Sequence, residues 1–215
     1  MPRTFLFDVD GTLVFYPGIG RRALERAIFE EWGTPDALAR TSFAGATDHG
    51  LVAGVAEGRP PGDVWERYVR YLEADMEALP DASPLPGVNA LLDRLAASGA
   101  RLGLLTGNLR VGARAKLGRP GLWARFDPSI SAFGDDGMQR VQIAEAARAR
   151  CGAGPLTVIG DASADAVAAR HIGARVLLVN TGPQERHELE RCAADRLVED
   201  FSATDDVCDW LLSRP

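Results

Sequence analysis

Short apolar runs recur along the chain at Thr4 to Phe7, Arg101 to Leu105, Ile130 to Phe133, Leu156 to Ile159 and Arg175 to Val179. Each is rich in residues that favour extended backbone and too short for a helix, the pattern of strands buried on both faces. Between them lie segments of helical period with helix punctuation, such as Val88 to Ser98 closed by Gly99 and Gln139 to Arg150 closed near Gly152. This alternation predicts a mainly parallel, doubly wound α/β sheet with helices on both faces. Ligands of such a sheet gather at the carboxyl ends of its strands.

The rhythm breaks from Gly20 to about Pro80, where three amphipathic helices are expected and no strand. The first runs from about Arg21 to Trp32 with Leu24, Ala27, Ile28 and Glu31 at helical spacing, ended by Gly33. A second starts at Thr47 or Asp48. The third starts at Asp63, capped by that side chain with Glu66 reaching back, and continues to Leu79 before Pro80. The sequence therefore divides into a core of residues 1–16 and 84–215 and an inserted helical domain of residues 17–83, which returns through the stiff Ser83-Pro84-Leu85-Pro86-Gly87 connector.

Composition narrows the class of partner. A net charge of −6 over 215 residues gives a weakly anionic surface that repels nucleic-acid phosphates and anionic membranes, so a small molecule is the expected partner. No run approaches the roughly 18 apolar residues of a membrane span, and the first strand follows Met1-Pro2-Arg3 without room for a signal peptide. Cys151, Cys192 and Cys208 are odd in number and widely spaced, as expected of reduced thiols in a cytoplasm. The pattern leaves monomer and homodimer equally open.

The chemistry concentrates at predicted strand ends. The first strand runs into Asp8-Val9-Asp10-Gly11-Thr12-Leu13, and alternation puts Asp8 and Asp10 on one side. Adjacent carboxylates repel unless a dication lies between them or one holds a proton. Phosphoryl transfer uses both conditions, with one carboxylate as nucleophile and the other as acid and base. Gly11 lets the backbone turn beside a ligand. A calcium loop also opens with Asp-x-Asp, but Leu13 to Phe15 supply none of its further oxygens. The second strand ends in Thr106-Gly107-Asn108, a hydroxyl with free N–H groups at a helix start, suited to phosphate oxygens. Asp161, ending a later strand, adds a third carboxylate for a hard-oxygen magnesium site. Asp165 either steadies that cluster or favours its helix N-terminus. Arg140 is the expected fixed cation for the transferring oxygens; Lys116 is its competitor for that role, though inside a helix beside Arg114 it reads first as part of a solvated basic face.

In order and placement these motifs resemble the phosphatases of the haloacid dehalogenase superfamily, over nearly the whole chain. The resemblance makes Asp8 nucleophile and magnesium ligand, and Asp10 the acid/base whose main-chain carbonyl also binds Mg2+. Asp161 becomes the remaining carboxylate ligand, with Asp165 supporting. Thr106, with the Gly107 and Asn108 amides, holds phosphate beside Gly11 and Thr12, and Arg140 stands where the family more often has Lys. The helical insertion resembles the small cap of the phosphoglycolate-phosphatase-like branch, and Gly45-Ala46-Thr47-Asp48 looks like a Gly-x-Thr-Asp stretch often seen there. The implied activity is magnesium-dependent hydrolysis of a small phosphorylated metabolite, phosphoglycolate-like or a sugar phosphate, through an aspartyl phosphate. The alternatives are a mutase of the β-phosphoglucomutase type and a silent binding module that keeps the fold. Val14-Phe15-Tyr16-Pro17 replaces an acidic residue common in relatives, which leaves substrate identity open. Arg21, Arg22 and His49 are expected to be solvated or structural, Asp135-Asp136 to form a turn, and Trp32, Trp65, Tyr68 and Tyr71 to pack within the insertion.

Overall fold

The computed structural model describes residues 2–213. Five strands, β1 (Thr4–Phe7), β2 (Arg101–Leu104), β3 (Leu156–Gly160), β4 (Arg175–Val179) and β5 (Arg196–Val198), form one sheet in the order β2-β1-β3-β4-β5. Every neighbouring pair is parallel. Strand residues alternate between two apolar layers because successive side chains point to opposite faces. Phe5, Phe7, Ile159, Leu177 and Val179 join one cluster, built with helices α4 (Val88–Ala97), α5 (Arg110–Gly118) and α9 (Thr204–Leu212). Leu6, Val158, Val176 and Leu178 join the other, built with α6 (Arg140–Cys151), α7 (Ser163–His171) and α8 (Arg186–Glu190). The sheet is thus covered on both faces, which is why its strands read as continuous apolar runs.

Between β1 and α4 the chain forms α1 (Ile19–Trp32), α2 (Asp48–Ala56) and α3 (Val64–Glu77). These helices bury an apolar cluster of their own, with Leu24, Ala27 and Ile28 of α1 against Val64, Tyr68 and Leu72 of α3. Gly33 closes α1 in the left-handed conformation, its N–H bonded to the Phe29 carbonyl. Thr47 caps α2 by accepting from the Gly50 N–H. The expected side-chain cap of α3 does not form. Asp63 instead contacts Arg67 one turn on, at 3.6 Å, and the helix stops at Glu77.

Two expectations about the sheet are corrected. Ile130 to Phe133 is buried and extended, but it meets the sheet through a single bridge between Leu105 and Ala132. The Ser131 hydroxyl accepts the Leu104 N–H, and the Asp136 carboxylate accepts the Phe133 N–H. Side chains thereby take donors that a strand ladder would use. The edge strand β5, conversely, follows no apolar run, since its three residues are only half buried.

Candidate active site

All four segments expected to carry chemistry end at the same edge of the sheet, and they meet on a cavity of about 270 Å³. Its walls include Asp8, Asp10, Thr106, Gly107, Asn108, Arg140 and Asp161 from the α/β layer, and Arg21, Phe43 and Gly45 from the helical insertion. Gly11 makes the turn out of β1 at φ +78°, and a Cβ there would collide with the Asp161 carboxylate and the Gly182 backbone. The fully buried Thr12 donates its hydroxyl to Asp161 Oδ1 at 3.3 Å. Gly11 and Thr12 therefore position Asp161; neither lines the cavity wall.

Asp8, Asp161 and Asp165 are buried, and each can offer an oxygen within 4.8 Å of the others. Arg140, itself buried at the start of α6, contacts Asp8 Oδ1 at 3.0 Å and donates to Asp165 Oδ1 through the same Nη2. That contact with Asp8 lacks hydrogen-bond alignment, so among the described residues Asp8 Oδ1 is buried without a hydrogen-bond partner, as is Arg140 Nε. Burial pushes the Asp8 carboxyl up to about 6; Arg140 opposes the rise, while Asp165 and Asp10 add to it. Burial and the repulsion of Asp8 and Asp165 push Asp161 well above the ordinary carboxylate range. Arg140 is pulled down by burial but held above its usual range by Asp165 and Asp8. The other oxygen of Asp165 accepts the Ala162 N–H ahead of α7 at 3.0 Å.

Besides burial, repulsion among neighbouring carboxylates holds the Asp8 and Asp161 carboxyls high, and a dication among them would relieve it. The donors are hard oxygens and one of them lacks a hydrogen bond, so the cluster fits a divalent metal. Asp10 contributes no carboxylate to this cluster, because its side chain turns the other way. Its main-chain carbonyl accepts no hydrogen bond among the described residues.

The largest departure from expectation is Lys116. It does not lie on a solvated face: its side chain is 6% exposed, and Nζ reaches Asp10 Oδ2 at 2.6 Å and Asn108 Oδ1 at 2.7 Å. Helix α5 is covered by α3, with Gly112 under Leu72 and Tyr68. The Asn108 amide donates to Asp10 Oδ2 and to Thr106 Oγ1, both at 2.8 Å, tying the two loops together.

The insertion docks directly on the Thr106 loop. Asp48, buried at the start of α2, donates its N–H to the Gly107 carbonyl and accepts the Leu109 N–H, both at 2.9 Å. A Cβ on Gly107 would strike the Ala46 carbonyl. Burial raises the Asp48 pKa, while Lys116 lowers it. Arg21 lines the cavity, but its guanidinium is engaged by the Leu38 and Thr41 carbonyls and stacks 4.2 Å from the Phe43 ring centroid. Arg22 is exposed at the end of this region, and His49 packs edge-on against Trp65 outside the cavity. Asp135 and Asp136 form the expected turn, with Asp136 paired to Arg150. Sequence reasoning missed Thr181, whose hydroxyl donates to the Gly11 carbonyl. A lone Thr in an Asn-Thr-Gly-Pro turn carries no signal of that contact.

A parallel sheet with carboxylates converging at its carboxyl edge defines a doubly wound α/β fold with its polar site at the strand ends, and comparison names the family. Residues 2–173 match the model of the haloacid dehalogenase-like hydrolases, and the chain belongs to that family. It is 35% identical to a phosphoglycolate phosphatase of Cereibacter sphaeroides over 198 residues, 86% of this chain and 88% of that protein. A phosphoglycolate phosphatase of Rhodospirillum rubrum is 31% identical over 228 residues, covering 98% and 91%. The fold is shared with a hydrolase from Pseudomonas syringae (TM-score 0.73, 24% identity, 98% of this chain and 100% of that one). It is also shared with CbbY from Rhodobacter sphaeroides in complex with phosphate (TM-score 0.73, 21% identity, 94% and 96%). Among the described residues no helix is long and apolar enough to cross a membrane.

Proposed function

We propose that the chain is a magnesium-dependent phosphatase that hydrolyses a small phosphate monoester of about the size of phosphoglycolate through an aspartyl phosphate. The observation that carries this reading is the convergence of Asp8, Asp161, Arg140 and Thr106 on one small cavity. The names of the curated relatives and the modest cavity volume support the substrate class.

In this mechanism Thr106 and the amides beside it hold the phosphoryl group, with Arg140 offsetting its charge. A carboxylate oxygen of Asp8 attacks phosphorus as the bond to the leaving oxygen breaks, and Asp10 delivers a proton to that oxygen. Water then attacks the acyl phosphate and gives its proton to Asp10. The Asp8–phosphorus bond breaks, restoring Asp8 and releasing inorganic phosphate. Asp8 and Asp161, with the Asp10 main-chain carbonyl, would hold Mg2+. When bound there, Mg2+ supplies charge neutralisation for the phosphoryl oxygens. Residues 17–83 act as a cap that excludes bulk water from the cavity.

A phosphate-release assay over phosphorylated metabolites, with and without Mg2+, tests the proposal. Phosphoglycolate-sized esters should be turned over in the presence of Mg2+ and spared after chelation. Asp8→Asn should retain the fold and lose the activity. Transfer of phosphate to a second site of a sugar phosphate, with no release to water, would establish the mutase instead.

A further inference from the structure

The described molecule holds two buried cations at one cavity, and the reaction scheme above uses only Arg140. Lys116 differs from it in every contact. Arg140 faces Asp8 and Asp165, whereas the Lys116 ammonium is satisfied by Asp10 Oδ2 and Asn108 Oδ1 and has little exposed surface left for a phosphoryl oxygen. Asn108 Nδ2 converges on the same Asp10 Oδ2. That oxygen is therefore held from two sides, while Asp10 Oδ1 accepts no hydrogen bond among the described residues. The Asp10 side chain, 39% exposed, is the half-open member of an otherwise buried group.

The groups around Lys116 come from both layers. Gly20 at the start of α1 lies against it, close enough that a Cβ there would sit 3.4 Å from Nζ. Tyr68 of α3 approaches the same point, and the Lys116 charge opposes the rise that burial imposes on the Asp48 carboxyl. A buried ammonium between two acids, held by an amide, keeps one geometry without needing a ligand.

We propose that Lys116 is the positioning residue for the acid/base carboxylate. With Asn108 it pins Asp10 Oδ2 so that Oδ1 faces the leaving oxygen, and the insertion completes the fixture through Asp48 and Tyr68. This rests on the assignment of Asp10 as general acid. The need for a proton in the first step grows with the basicity of the leaving group. Loss of the fixture should therefore be felt by an alkyl phosphate, which leaves as a strongly basic alkoxide unless protonated. 4-Nitrophenyl phosphate, whose phenolate leaves unaided, should be spared.

The experiment compares kcat/KM, which reports steps through formation of the aspartyl phosphate, for 2-phosphoglycolate and a series of aryl phosphates. Wild type, Lys116→Met and Asp10→Asn are measured, each checked for folding by circular dichroism and thermal melting. Lys116→Met should lose about 100-fold toward phosphoglycolate and under about threefold toward 4-nitrophenyl phosphate, a steeper leaving-group dependence shared with Asp10→Asn. A loss of equal size for every ester would make Lys116 a phosphate-binding cation and overturn the proposal, as would no loss. If Asp10→Asn itself shows no steepening, the general-acid assignment fails. Steepening in Asp10→Asn alone defeats only the role of Lys116. Should Lys116→Met not fold, Lys116→Gln, which keeps a donor without the charge, carries the same comparison, with the same outcomes deciding it.

Discussion

Removing one negative charge from the candidate site should stabilise the metal-free protein even as it destroys activity. Asp8 is pushed from its ordinary 3.8 up to about 6. A carboxyl whose pKa is higher folded than unfolded binds more protons in the native state, so its contribution to stability falls as pH rises through the window from about 4 to about 6. Two pKa units correspond to about 3 kcal/mol, present below pH 4 and lost above pH 6. Asp8→Asn keeps the shape of the protonated acid and carries no such penalty. In a chelator at pH 7.5 the variant should melt higher than wild type, by up to about 10 °C for a chain of this length, and the two should converge near pH 4. Mg2+ should offset most of that difference. Wild type gains about 2.7 kcal/mol at one hundred times its dissociation constant, while the variant, having lost a ligand, gains less. Differential scanning fluorimetry over a grid of pH and Mg2+ reads all of this. If the variant is the less stable protein at pH 7.5 without metal, or wild type ignores Mg2+, the charge balance drawn from the three carboxylates and Arg140 is wrong.

Arg140→Ala leaves Asp165 fully buried without its cation and should cost about 3 to 5 kcal/mol in urea unfolding; Arg140→Lys should recover part of that. Gly107→Ala forces a Cβ into the Ala46 carbonyl, so a destabilisation of about 1 to 3 kcal/mol should come with a kcat/KM loss as the insertion is displaced. An unchanged kcat/KM would refute direct docking of the insertion on this loop. Thr47→Ala removes the α2 cap and the 2.6 Å hydrogen bond to the Met138 carbonyl, and should cost about 1 kcal/mol by equilibrium denaturation.

What the sequence makes legible is what local pattern determines. The four strands β1 to β4 are continuous apolar runs because both faces of the sheet are covered. The acidic and hydroxylic residues at their carboxyl ends could be named because parallel strands send all of those ends to one edge. Lys116 was misjudged for the complementary reason. Its helix has Arg114 close by, and its ammonium is drawn inward by Asp10, a partner 106 residues away in the chain, beneath α3, which covers α5. Ile130 to Phe133 looked like a strand because burial and composition match one. The contest between Ser131, Asp136 and the backbone for the same donors is not visible in an apolar pattern. The short β5, flanked by acidic residues, exceeds no threshold of hydrophobicity, yet it still completes the edge of the sheet.

The cavity draws its walls from two sources with different obligations. Asp8, Thr106 and Asp161 hang from strand ends that cannot shift without breaking the sheet. Phe15, Tyr16 and Pro17 lie on a connecting segment, and Phe43 lies within the insertion. Neither apolar group belongs to a strand. Mutational drift in these lining positions can therefore retune which molecules are admitted while the reacting apparatus stays intact, so a lineage carrying this architecture can change its diet without relearning how to digest.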